Sequence, residues 1–181
     1  MAKRKHRSPE RKQHRFQTLL RQGTEALHRG DIKAAIKLLE QSRQINSGSF
    51  DAALNLGGAY ILAKKFAQAV AILEPLSEQA ADNPMVWTNL GAAYLGNPVL
   101  ATDERQQQAI TAFKQALVLD PATPNVAYNL GLIYRDRRET AEAVQWFQQA
   151  LETNPGDKDA RHYLNLLQAE NKPHDNNTPT H

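Results

Sequence analysis

The feature that most constrains this chain is a glycine that returns inside helical sequence at a nearly fixed interval. The phrases "NLGGAY" from Asn55, "NLGAAY" from Asn89 and "NLGLIY" from Asn129 place it at Gly57, Gly91 and Gly131, and "RQGTEA" from Arg21 adds Gly23. These positions are 34, 34 and 40 residues apart. A second ruler of alanines, Ala35, Ala69, Ala109 and Ala143, is spaced 34, 40 and 34. Each alanine precedes the next glycine by 22 residues, so one six-residue insertion between Gly91 and Ala109 accounts for every irregularity. A glycine inside a helix costs about 1 kcal/mol relative to alanine, so a chain that repeats the choice uses it for packing. A 34-residue period built from two amphipathic helices is that of a helical solenoid. Its units cannot bury their apolar faces alone and stack to do so.

The periodicity predicts helices over 11–29, 31–45, 49–63, 66–80, 84–95, 103–119, 124–136, 139–153 and 157–170. The segments "RGD" at Arg29, "DNP" at Asp82, "DPATP" at Asp120 and "NPGD" at Asn154 supply turns and N-caps between them. Pro98 should end the helix before the insertion, and Thr102 followed by Asp103 and Glu104 reads as a fresh N-cap with an acidic first turn. Glycine on one helix of a hairpin and alanine on the other would allow close approach. Large residues such as Leu56, Tyr60 and Leu73, or Leu90, Tyr94 and Phe113, would fill the remaining space. The last helix lacks the glycine and sets polar residues opposite Leu164 and Leu167, as a terminal cap should.

These residues resemble the tetratricopeptide repeat. Trp87, Leu90, Gly91, Tyr94, Ala109, Phe113, Ala116 and Pro121 match its motif in one unit; Leu130, Gly131, Tyr134, Ala143, Phe147, Ala150 and Pro155 match it in the next. Leu56, Gly57, Tyr60, Ala69 and Leu73 match it in the unit before. The first unit keeps Gly23, Gly30, Ala35 and Leu39 but carries Gln22, Ala26 and Ser42 where the motif prefers Leu, Tyr and Ala. The resemblance implies an all-α fold, a right-handed α-solenoid of helix-turn-helix units over 16–49, 50–83, 84–123 with the insertion, and 124–157. Residues 158–170 then form the capping helix, 1–15 a basic N-terminal arm that is flexible or extends the first helix, and 171–181 a polar, disordered tail.

Composition removes several function classes. The chain has no cysteine, which excludes disulfides, thiolate zinc sites and cysteine nucleophiles. Its histidines, His6, His14, His28, His162, His174 and His181, show no metal-ligand spacing, so no metal is expected. No nucleophile elbow, P-loop or dinucleotide fingerprint is present, and paired acids such as Asp157 and Asp159 sit at helix starts. Neither an enzyme nor a cofactor is expected. No apolar run approaches the roughly 18 residues of a membrane span, and no signal peptide follows the basic start, so the expected location is cytoplasmic. The net charge of +3 hides an asymmetry. Lys3, Arg4, Lys5, Arg7, Arg11, Lys12 and Arg15 face one acid, Glu10, in the arm, leaving 15 basic and 18 acidic residues elsewhere.

Function should therefore lie on a surface. In the family that the chain resembles, the concave face made by the first helices commonly holds a peptide, which implies a scaffold or adaptor here. Asn55, Asn89 and Asn129 stand two residues before their repeat glycines. Their amides offer donor and acceptor to a peptide backbone; the alternative is that they satisfy neighbouring turns. Met85, Thr88, Tyr128 and Arg135 share that face and complete the expected contact set. The basic residues with which family members clamp acidic chaperone tails are absent: Met85, Asn89, Asn125 and Asn129 occupy those positions. A second reading is RNA or ribosome contact through the basic arm, which lacks interleaved aromatic residues. A third is self-association through the ends of the array.

Overall fold

Turn chemistry sets the boundaries of the elements. The computed structural model describes residues 9–170, and so leaves outside it Lys3, Arg4, Lys5 and Arg7 of the predicted arm and the predicted tail. The helices are α1 (Pro9–His28), α2 (Ile32–Ile45), α3 (Phe50–Leu62), α4 (Phe66–Gln79), α5 (Pro84–Leu95), α6 (Asp103–Leu119), α7 (Val126–Asp136), α8 (Thr140–Thr153) and α9 (Lys158–Glu170). No strand occurs among the described residues. The chain divides into two compact units, residues 1–119 with α1 to α6 and residues 120–181 with α7 to α9.

The predicted N-caps form at Asp31, Asn83 and Asp157. Asp31 accepts from the Ala34 amide at 3.0 Å, Asn83 from Met85 at 3.0 Å, and Asp157 from Ala160 at 2.9 Å. Three hairpin turns close in one way: an amide bonds back five residues, from Asp31 to Ala26, Lys65 to Tyr60 and Glu139 to Tyr134, at 2.8–2.9 Å. The residue before each donor is left-handed, Gly30 at φ 77, Lys64 at φ 58 and Arg138 at φ 62. This is a helix C-terminal closure that glycine adopts without strain and lysine or arginine does not.

Two expectations need correction. Gly96, not Pro98, ends α5: it is left-handed at φ 58 and its amide bonds to Ala92, while Pro98 opens a short 3-10 turn, Pro98–Leu100. Helix α7 begins at Val126 and not at residue 124, because Asn125 is left-handed at φ 63. In the described part of the basic arm, from Pro9 on, the chain is helical, and Arg11, Lys12 and Arg15 ride on the first turns of α1. Thr102 does cap α6, accepting from Arg105 at 3.3 Å. The second helices of the other hairpins reach their ruler alanine at their fourth residue, as α4 does from Phe66 to Ala69, whereas α6 reaches Ala109 at its seventh. Three residues of the insertion therefore add nearly a turn to the start of α6.

In the first unit α1 pairs with α2, α3 with α4 and α5 with α6, and α2 packs on α3 and α4 on α5. The repeat glycines make this pairing close. A Cβ at Gly23 would fall 2.7 Å from Leu39, at Gly57 2.7 Å from Leu73, and at Gly91 2.7 Å from Phe113. In the second unit the same test at Gly131 meets Phe147 at 2.7 Å. The intruding residue always lies four after the ruler alanine, one helical turn on. Each glycine is thus the hole for one large knob, and all four alanines are completely buried beside it.

Candidate functional site

The first-helix surface is built on this scaffold. In α3 and α5, Asn55 and Asn89 occupy equivalent positions, both half-buried, but their amides have different surroundings. Asn55 donates from Nδ2 to Thr24 Oγ1 of α1 at 2.9 Å, and the Thr24 hydroxyl donates to the Leu20 carbonyl at 2.9 Å. That asparagine joins one hairpin to the next. Thirty-four residues after Thr24 stands Gly58. A Cβ there would lie 3.9 Å from Asn89 Nδ2, so the Asn89 amide faces a residue with no side chain. The side chain of Asn89 makes no hydrogen bond among the described residues. One turn earlier, Met85 is 58% exposed, one of five large apolar side chains in solvent among the described residues. Thr88 between them is half-buried, and its hydroxyl donates to the Pro84 carbonyl at 2.8 Å.

The second unit treats its expected contacts otherwise. Tyr128 of α7 packs on Phe147 at 5.9 Å and Tyr163 at 6.4 Å between ring centroids. Burial raises its phenol pKa, and the Tyr163, Asp159 and Asp157 charges add to this. The Arg135 guanidinium hydrogen-bonds Asp136 at 2.6 and 3.0 Å and lies 4.4 Å over the Tyr163 ring of α9. Both side chains help seat α9, whose Ala160 and Leu167 are buried. Asn129 is half-buried, and no hydrogen bond of its side chain occurs among the described residues.

Of the basic arm, Arg11, Lys12 and Arg15 line one cleft of about 430 Å³ with Gln44 and Ile45 at the end of α2. Two further polar pairs escaped the reading of the sequence. Tyr60 Oη donates to Glu40 at 2.6 Å, and Tyr94 Oη to Glu74 at 2.6 Å, each from a first helix to the second helix of the preceding hairpin. Their common separation of 20 residues was the available signal. Among the described residues no helix is long and apolar enough to cross a membrane, and no group of three potential ligands could hold a metal ion.

The stacked hairpins and their glycine holes agree with what comparison with known families finds. Two family models, both described as tetratricopeptide repeat, match residues 26–93 and 98–158. The chain belongs to the tetratricopeptide-repeat family. Similar solved structures include a point mutant of MamA, 24% identical over 87% of this chain and 88% of that one, with a TM-score of 0.70. MamA from Desulfovibrio magneticus RS-1, from residue 41 to its end, is 22% identical over 79% of this chain and 77% of its own, with a TM-score of 0.69. TTC0263, a thermophilic protein of the same repeat type from Thermus thermophilus, is 22% identical over 86% and 82%, with a TM-score of 0.72. At these identities the likeness shows the fold, an all-α tetratricopeptide solenoid. No curated protein matches the chain. As a tetratricopeptide protein it is a protein-interaction scaffold in general terms, on a fold that is typically non-catalytic.

Proposed function

We propose that the chain is an adaptor that holds a peptide segment of a partner protein on the first-helix surface around Asn89, with the Asn89 amide clamping the peptide backbone and Met85 contacting an apolar side chain. The contrast between the two asparagines supports this reading. Asn55 has an internal hydroxyl partner in Thr24, whereas Asn89 has glycine at the equivalent place and keeps its donors and acceptor for a guest. Backbone recognition through an amide tolerates many sequences, and an exposed methionine adapts to many apolar shapes. Asn129 offers the same amide in the second unit.

The test is capture of host proteins, after nuclease treatment, by the intact chain and by variants. Asn89→Ala should weaken binding about fivefold, the worth of one hydrogen bond. Gly58→Thr should do the same without touching Asn89, because it supplies the internal hydroxyl that Asn55 already has. Circular dichroism should remain unchanged in both. Undiminished capture by both variants would reject the clamp.

A second reading, an RNA- or ribosome-associated protein, is favoured by the single cleft that Arg11, Lys12 and Arg15 share. Replacing these three with glutamine should then abolish capture of RNA, and binding by the parent chain should fall steeply with salt.

A further inference from the structure

Two successive grooves of the first unit can be compared position by position, because they are related by the repeat offset of 34 residues. The groove of α2, α3 and α4 has a volume of about 340 Å³, with Glu40, Arg43, Gln44 and Tyr60 in its lining. The groove of α4, α5 and α6 is about 700 Å³. Glu74 and Tyr94 repeat Glu40 and Tyr60, and the 2.6 Å hydrogen bond between them is the same. The counter-charge is not. Ser77 stands in place of Arg43 and Glu78 in place of Gln44, while the extra turn of α6 brings in Glu104. Three carboxylates line the larger groove and no lysine or arginine does.

The phenols report the same difference. Burial raises Tyr60, the Glu40 hydrogen bond and charge raise it further, and Arg43 draws it back down. Burial and Glu74 raise Tyr94 with no cation opposing them. The lining differs as well: Trp87, 34 residues after Ala53, lines the larger groove, and its Nε1 donates to the Ala81 carbonyl at 2.8 Å, which holds the ring in place.

We propose that the groove of α4, α5 and α6 binds an arginine-bearing segment of a partner peptide, whose guanidinium takes the place that Arg43 holds in the preceding groove. The guanidinium would lie among Glu74, Glu78 and Glu104, where its forked donors suit carboxylates and its plane suits the Trp87 and Tyr94 rings. Leu90 and Ala112 would receive its aliphatic stem. The preceding groove supplies this cation from its own chain, and the larger one leaves it to a guest. The surface uses residues of α5 other than Met85 and Asn89, so it stands independently of the backbone clamp.

The experiment is fluorescence anisotropy of a labelled peptide of alternating glycine and arginine, titrated with the full chain at low and moderate salt. Binding should be saturable and salt-sensitive. Glu78→Arg and Glu104→Gln both alter exposed positions. The charge reversal should weaken binding about tenfold or more, Glu104→Gln should weaken it less, and Glu152→Gln, at an exposed acid outside the groove lining, should leave it unchanged. Equal affinity in both glutamate variants would overturn the proposal. So would failure to bind the peptide together with self-association that Glu78→Arg abolishes, since the guest would then be the basic segment from Lys3 to Arg7 of a second copy.

Discussion

One hydrogen atom on Gly57 and one on Gly58 face different neighbours, and the difference is measurable. A methyl at position 57 would meet Leu73 Cδ2 at 2.7 Å and Cγ at 2.8 Å, and Leu73 is completely buried. Gly57→Ala should therefore destabilise the fold, by about 1–3 kcal/mol, as should Gly91→Leu, which drives into Phe113. At Gly58 the nearest atom is 3.9 Å away, so Gly58→Ala should stabilise by up to about 1 kcal/mol through helix propensity. Thermal melts of the two alanine variants should shift in opposite directions; shifts of one sign would contradict the packing argument. The repeat made Gly57 legible as a packing residue. It left Gly58 unexplained, because the meaning of Gly58 lies in Asn89, across a helix pair. Titration of Tyr60 gives a second check at this scale. Its pKa is pushed up from 10.0 to about 12, mainly by burial. The folded state prefers the neutral phenol, so the stabilisation is present below pH 10 and lost as pH rises through about 12. The chain should lose stability over that window, and Tyr60→Phe should lose less.

Among the elements, hairpin closures carry strain where the sequence lacks glycine. Gly30 suits its left-handed position, while Lys64 and Arg138 repeat that position with side chains attached. Lys64→Gly and Arg138→Gly should each raise stability by up to about 1 kcal/mol, read as a higher denaturation midpoint. An unchanged or lower midpoint would mean that the exposed side chains contribute more than the strain. Helix starts were legible wherever a cap side chain marks them, as at Asp31, Asn83 and Thr102. They were misplaced where the backbone alone decides: Asn125 is left-handed and makes no side-chain cap, so α7 starts two residues after Pro124. Pro98 suggested a helix stop, but the chain reverses at Gly96, where a Cβ would lie 3.2 Å from Phe66.

For the molecule as a whole, stability in a repeat array depends on each helix having a neighbour. The second unit places α9 against α8, with Tyr163 stacked on Phe147 at 5.5 Å and Leu167 buried. Ending the chain at residue 157 would uncover several apolar side chains, each worth about 1.5–3 kcal/mol, and should lower the melting temperature by about 10 °C or more. A melting temperature unchanged by that truncation would show that α9 is not a cap. The period, the order of helices among the described residues and the role of the ruler glycines were readable from the chain alone. They follow from propensity, capping and spacing, which act within a unit and repeat with it. The fates of the asparagines, of Arg135 and of the two acidic grooves were not, because each turns on which side chain a neighbouring helix presents. Thr24 satisfies Asn55 and Gly58 leaves Asn89 open; Tyr163 takes up Arg135; Arg43 accompanies Glu40 and nothing cationic accompanies Glu74. Identical motifs acquire different chemistry once folding brings non-identical neighbours within hydrogen-bonding range.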